Sequence, residues 1–143
     1  MNHCAFCDPS VIEKQGIYKN GSVVVIYPQK PIIPCHFIIF PKRHAQFISD
    51  LTDKESIDLK NTTAKILTAY KEKEKCIGYN LTSNNGLIKV GQTVAHAHIH
   101  IYLRFENEKY SPYKIMANSS LRENLSAKQW QQQKELALTL LNS

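Results

Sequence analysis

The sequence predicts an α+β domain, an antiparallel sheet of about five strands carrying two helices. Three observations point to it. Short segments rich in β-branched and aromatic residues are closed by proline or glycine. Helical patterning is confined to two stretches, each opened by a capping residue. Residues 96–103 alternate between ring-bearing polar and apolar side chains, the period of a strand rather than a helix. At 143 residues the chain makes a single domain, 1–143, large enough to bury a core without disulfides.

The elements follow in order. Gly21 to Tyr27 is β-branched, enters through a tight turn at Asn20-Gly21 and stops at Pro28, which reads as a strand. Pro28, Pro31 and Pro34 punctuate a loop. His36 to Phe40 is a second strand, closed by Pro41. Thr52-Asp53-Lys54-Glu55 fits a capping box that opens a helix reaching about Lys75, with Ile57, Ala64, Leu67 and Tyr70 as its buried face. Ile77 to Thr82 is a short strand, and Ser83-Asn84-Asn85-Gly86 a turn. Val94 to Leu103 is the longest strand. Ser126 to Leu141 is a terminal helix, with Trp130, Leu136 or Ala137, and Leu140 or Leu141 available for one face.

Composition limits the function classes. The chain is 43% hydrophobic and 21% charged, with a formal charge of +6; that excess favours anionic ligands. The lysines are scattered, and the densest run, Lys71 to Lys75, alternates in sign, so a dedicated nucleic-acid surface is not expected. The N-terminus lacks a basic segment followed by an apolar one, and apolar runs such as Phe37–Phe40 are too short to span a bilayer. A cytoplasmic protein with no membrane partner is the expectation. In that setting Cys4-x-x-Cys7 points to metal or redox chemistry before a disulfide.

On a strand from Val94 to Leu103, His96, His98, His100 and Tyr102 share one face, and Ala97, Ile99, Ile101 and Leu103 share the other, toward a core. Three imidazoles in a row admit three explanations: histidines on a half-exposed strand, a three-histidine metal site, or histidine chemistry on phosphorus. Solvent-facing strand positions usually take Thr, Lys or Glu, which disfavours the first. Spacing leaves the other two open, but the flanking residues separate them. Gly91, Gln92 and Thr93 precede the histidines, Asn84-Asn85-Gly86 lies upstream and Arg104 follows. These groups bind anionic oxygens, and Gln, Thr and Arg are poor zinc ligands. A phosphate-handling site is favoured.

The residues Asn84-Asn85-Gly86, then Gly91-Gln92-Thr93-Val94-Ala95-His96-Ala97-His98-Ile99-His100 and Arg104, resemble the histidine triad (HIT) family. Pro34-Cys35-His36 through Pro41-Lys42-Arg43-His44 and the Cys4-Ala5-Phe6-Cys7 start are similar to its earlier blocks. The likeness spans 4–104, leaving 105–143 as a C-terminal segment with the terminal helix. It implies a HIT-like fold, a homodimer and a nucleotide substrate carrying a phosphoramidate or phosphoanhydride bond. His98 would attack the α-phosphorus to form a nucleotidyl-histidine that water hydrolyses, releasing a nucleoside monophosphate. His100, Gly91, Gln92, Thr93 and Asn84 would contact phosphate, leaving group or ribose, and His36 would assist as a hydrogen-bonding histidine. No catalytic metal is required. A glutamine in place of the third histidine marks the transferase branch; His100 is kept here, so hydrolysis is favoured over a nucleotidyltransferase. A non-catalytic nucleotide-binding or interaction protein is the rival from another class.

The resemblance also implies a structural zinc on Cys4, Cys7, His44 and His96, a Cys2His2 set. Cys35 and Cys76 have no such partners and read as small buried residues. Where the family places an Asp that holds ribose, the chain reads Tyr27-Pro28-Gln29, so weak nucleoside binding with little base preference is expected.

Overall fold

The computed structural model describes residues 3–143; Met1 and Asn2, which open the N-terminal stretch read above for a leader, lie outside it. Five strands, β1 (Gly16–Asn20), β2 (Val23–Ile26), β3 (His36–Pro41), β4 (Cys76–Thr82) and β5 (Ile99–Phe105), form one sheet. Their order is β1-β2-β3-β5-β4, and every neighbouring pair is antiparallel. Four α-helices accompany them: α1 (Pro9–Gln15), α2 (Asp53–Glu74), α3 (Pro112–Ala117) and α4 (Ala127–Leu141).

The α+β class and the sheet agree with the sequence; two helices were expected, and α1 and α3 are additions. Each is short, opened by an N-capping side chain and a proline in its first turn, Asp8-Pro9 and Ser111-Pro112. Such a signal is local and leaves no periodicity to read. The strand expected from Gly21 begins two residues later, because Gly21 (φ 57°) and Ser22 form the turn of a β1–β2 hairpin. Ser22 is fastened there by its N–H and hydroxyl, both donating to Asp58 of α2 at 2.9 and 2.7 Å.

Helix α2 starts where the capping box predicts. The Glu55 N–H donates to Thr52 Oγ1 at 3.1 Å and the Thr52 N–H donates back to Glu55 Oε2 at 2.9 Å. Its buried face, however, is Ile66, Tyr70, Thr62 and Thr63, while Ile57 and Ala64 stand in solvent. The two threonines can be buried because their hydroxyls donate to the carbonyls of Asp58 and Leu59, four residues back. Apolar counting therefore misplaced the stripe. Helix α4, capped by Ser126, buries Ala137 and Leu141 from the alternatives the sequence left.

One sheet face, with Val23, Val25, Tyr27, Phe37, Ile39, Ile99, Ile101 and Leu103, packs against Ile66 and Tyr70 of α2 and Ala137 and Leu141 of α4. Truncating a ring as deep as Phe37 costs about 3–5 kcal/mol. The opposite face carries Val24, Ile26, Ile38 and Phe40, covered by Phe6, and beyond them His36, His100 and Tyr102. Register brings His36 opposite Tyr102 and Ile38 opposite His100.

A second correction concerns the histidine strand. It was expected from Val94, yet β5 begins at Ile99 and runs on to Phe105. Residues 94–98 instead fold over the His44–Ala45 segment: the His96 N–H turns back to the Val94 carbonyl at 2.8 Å, and the Ala97 N–H donates to the Ala45 carbonyl at 2.6 Å. Strand alternation consequently governs His100 and Tyr102 but not His96.

Candidate active site and metal centre

Two histidine clusters lie side by side, joined through the His96 main chain and the Phe6 ring. His98 is buried, and its Nδ1–H donates to the His96 carbonyl at 2.7 Å. With Nδ1 so occupied, the lone pair of a neutral His98 sits on Nε2. Ser83 Oγ donates to the His98 carbonyl at 2.9 Å, fixing the main chain beneath the ring. Phe6 packs edge-on against His98, ring centroids 5.0 Å apart.

His100 has the opposite tautomer, for a reason that starts at a backbone amide. The Ile32 N–H donates to His36 Nδ1 at 3.1 Å, so that nitrogen carries a lone pair. A neutral His36 then bears its hydrogen on Nε2, which donates to His100 Nδ1 at 2.9 Å. His100 in turn bears its hydrogen on Nε2. The pair with ring centroids 5.0 Å apart, His98 and His100, thus offers a lone pair beside an N–H donor. Burial pushes His98 below the ordinary imidazole value, against the opposing pull of the His96 carbonyl. Burial and the neighbouring His98 push His100 down to about 4. His36 lies well below its ordinary value through burial and the neighbouring His100, Arg122 and His98. The three rings are neutral at neutral pH, as the two tautomers require.

The loop that flanks them is held by the amides singled out in the sequence. Gln92 is buried; its Nε2 donates to the Gln46 carbonyl at 2.7 Å and its Oε1 accepts from the Gly86 N–H at 2.8 Å. Its side chain is engaged at both ends in joining loops. Gly91 sits at φ 105° with Asn84 against it, where an added Cβ would come within 3.3 Å of the Asn84 amide, and its carbonyl accepts from Asn84 Nδ2 at 3.3 Å. Thr93 is exposed. Arg104, offered above as an anion-binding group, is committed elsewhere: its Nε pairs with Glu108 at 3.0 Å and its Nη1 donates to Asn80 at 2.7 Å. Cys35 is pushed up to about 12 by burial, as befits an inert thiol.

His96 belongs to the second cluster. The donor atoms of Cys4, Cys7, His44 and His96 all lie within 4.8 Å of one another. Cys4 Sγ is 3.5 Å and Cys7 Sγ 3.6 Å from His96 Nδ1, and Cys7 Sγ is 3.2 Å from His44 Nδ1. A tetrahedral zinc, with Zn–S of about 2.3 Å and Zn–N of about 2.0–2.1 Å, separates sulfur from nitrogen by about 3.5 Å. His96 Nε2–H donates to the Pro41 carbonyl at 2.7 Å, which frees Nδ1 to act as ligand. Desolvation and the adjoining Cys4 thiol push Cys7 up; a cation between the two sulfurs would relieve that cost. The donor set fits zinc.

The elements that bring these side chains together were partly legible. Arg43, next to His44, clamps Glu55 through Nε at 2.8 Å and Nη2 at 3.0 Å, tying this loop to the start of α2. Phe6, the Ile32 amide and the Pro41 carbonyl were not foreseen. Phe6 stands between the two cysteines and was readable as a cover; backbone groups have no sequence signal.

Comparisons with known proteins agree with this fold. Residues 10–107 match the HIT domain family profile. An uncharacterised HIT-like protein of Mycoplasma genitalium is 31% identical over 125 residues, covering 85% of this chain and 88% of that one. A bis(5′-adenosyl)-triphosphatase of Saccharomyces cerevisiae is 32% identical over 107 residues, 74% of this chain, which spans only 52% of that enzyme. Among solved structures, a zinc-bound histidine triad family protein of Mycobacterium smegmatis superposes with a TM-score of 0.74 at 22% identity, covering 97% of this chain and 93% of that one.

Proposed function

The chain belongs to the histidine triad (HIT) family, and on that premise we propose that it is a nucleotide hydrolase that works through a nucleotidyl-histidine on His98. The observation that carries this reading is the pair of hydrogen-bond arrangements, Ile32 to His36 to His100 and His98 to the His96 carbonyl, which assigns a lone pair to His98 Nε2 next to an N–H donor on His100. His98 Nε2 attacks the α-phosphorus; the bond from phosphorus to the leaving nitrogen or oxygen breaks, and the leaving group departs with the bonding pair and takes up a proton from solvent, which the attacking water of the second step returns. Water then attacks the phosphorus, the P–N bond to His98 breaks, and a nucleoside monophosphate is released. His100 Nε2–H holds a phosphoryl oxygen as negative charge builds on it. His36 keeps that donor in place. Asn84, Gly91, Gln92 and Thr93 shape the loop that borders the phosphate; Gln92 acts chiefly by positioning. Similarity to an enzyme named for hydrolysis of a diadenosine triphosphate supports nucleotides as the substrate class.

Cys4, Cys7, His44 and His96 would hold a structural zinc, which joins the N-terminal segment to the residues preceding β5. The main chain of His96 then anchors His98 through the 2.7 Å bond already described. The protein is proposed to be a cytoplasmic homodimer. Strand β4 is a sheet edge whose outward residues Ile77, Tyr79 and Leu81 are 64%, 42% and 44% exposed, an apolar row suited to a second copy.

Release of AMP from adenosine 5′-phosphoramidate and from a diadenosine polyphosphate, by wild type and His98→Ala, tests the function. Turnover by wild type and its loss in the variant are expected. A folded, metal-loaded wild type that releases no AMP from either substrate would refute the reading.

A further inference from the structure

Arg122 lies in the C-terminal segment, beyond the residues that carry the triad motifs, and has no part in the chemistry proposed above. Its Nε is buried and has no hydrogen-bond partner among the described residues. It is also absent from the ion pairs found there, which are His3–Asp8, Arg43–Glu55, Lys54–Asp58 and Arg104–Glu108. A buried guanidinium nitrogen without an acceptor is costly and calls for an explanation, of which an acceptor brought by a bound anion is one.

The surroundings show which way it faces. Arg122 is extended, φ −72° and ψ 127°, following a single turn at Ser119–Leu121. Its neighbours Leu121 and Glu123 both line a cavity of about 530 Å³ with Ile32, Ile33 and Tyr110, but Arg122 does not. In an extended segment alternate side chains point to opposite sides, so Arg122 is turned away from that cavity. Leu121 packs against the cluster of Ile33, Tyr102 and Ile115, which seats this stretch on the His36–Tyr102 end of the catalytic face. The Tyr102 ring lies 4.6 Å from that of His36 and is parallel to that of His100 at 6.1 Å. In agreement, the charge of Arg122 is felt at His36 and at Tyr102.

We propose that Arg122 binds a second anionic group of the substrate, a phosphate other than the one attacked by His98. This rests on the nucleotide reading above and adds to it a preference for substrates with at least two phosphates. The second phosphate can belong to the leaving group or be an ester on the ribose. Arginine suits either, because its planar fork pairs two donors with phosphate oxygens.

Calorimetric binding of three probes to wild type, Arg122→Gln and Arg122→Lys separates these cases: AMP, α,β-methylene-ADP and adenosine 3′,5′-bisphosphate. A second phosphate on Arg122 predicts that one of the two bisphosphates binds wild type more tightly than AMP does. That advantage should fall about 10- to 100-fold in Arg122→Gln and return in part in Arg122→Lys, with AMP unchanged. Loss confined to α,β-methylene-ADP assigns the leaving-group phosphate; loss confined to adenosine 3′,5′-bisphosphate assigns the ribose ester. Equal affinities of the three probes for wild type, or equal losses in Arg122→Gln, would overturn the proposal and leave the nucleotide reading standing. Failure of every probe to bind wild type would remove both.

Discussion

His96 and His98 are two residues apart, share a packing partner in Phe6 and sit in different chemistry. The ring of His96 gives Nε2–H to the Pro41 carbonyl and turns Nδ1 to two thiols; the ring of His98 gives Nδ1–H to a carbonyl and leaves Nε2 free. Which nitrogen meets a backbone oxygen decides where a neutral ring keeps its lone pair, on Nδ1 beside the thiols in His96 and on Nε2 in His98. The difference between the clusters lies in their neighbours and not in residue type. The coupling between them is the His96 carbonyl, which serves both.

The sharpest way to break this comparison is to remove one ring from each cluster. His98→Ala should lose on the order of 10⁴-fold or more in kcat while keeping its metal content, read by elemental analysis and turnover side by side. His96→Ala should do the reverse first: metal is lost and stability falls by about 3 kcal/mol or more, seen in denaturant melts. Its activity falls too, because the main chain of residue 96, which accepts from His98 Nδ1, is no longer tethered by the metal. Full metal content in His96→Ala would refute the division.

A smaller effect is expected one step behind the face. His36→Ala deletes the acceptor for the Ile32 N–H and frees His100 to take either tautomer. A drop of about 10- to 100-fold in kcat is expected, with metal content and KM nearly unchanged. An unaltered kcat would dissolve the relay. The relay also has a pH signature. Because His100 is held down at about 4 in the folded chain against 6.5 ordinarily, the unfolded chain binds the extra proton between those values. Stability is full above about pH 6.5 and declines as pH falls toward 4, by on the order of 1–3 kcal/mol from this site. Urea melts of wild type and His100→Gln across that range measure it; the variant should show a flatter profile. The smallest effect is reserved for Arg104→Gln. That guanidinium is spent on Glu108 and Asn80, so AMP release should stay within about twofold of wild type while stability changes by about 1 kcal/mol.

How much of this was legible in the sequence varies with the physics behind each feature. The α2 start was written in Thr52 and Glu55, because a capping box is local. The four cysteine and histidine donors were found through a family resemblance, and their convergence in space agrees with it. The face of α2 was misjudged since buried threonines satisfy themselves against their own helix. The start of β5 was misjudged because residues 94–98 alternate like a strand but bond to the His44–Ala45 loop instead. Tautomers depend on the Ile32 amide and the Pro41 carbonyl, groups that every residue but proline carries in full and that no pattern marks. Arg122 was invisible for a different reason: it lies where the motif resemblance had already ended.

The proposed mechanism requires that His98 Nε2 become covalently bonded to phosphorus. Intact-protein mass spectrometry after mixing wild type with adenosine 5′-phosphoramidate and quenching in alkali, where a phosphohistidine-type bond survives, tests it most directly. A transient mass increase of one adenylyl group, mapped to His98 and missing in His98→Ala, is the predicted result. AMP release with no adduct at any quench time, or an adduct that persists in His98→Ala, would contradict it.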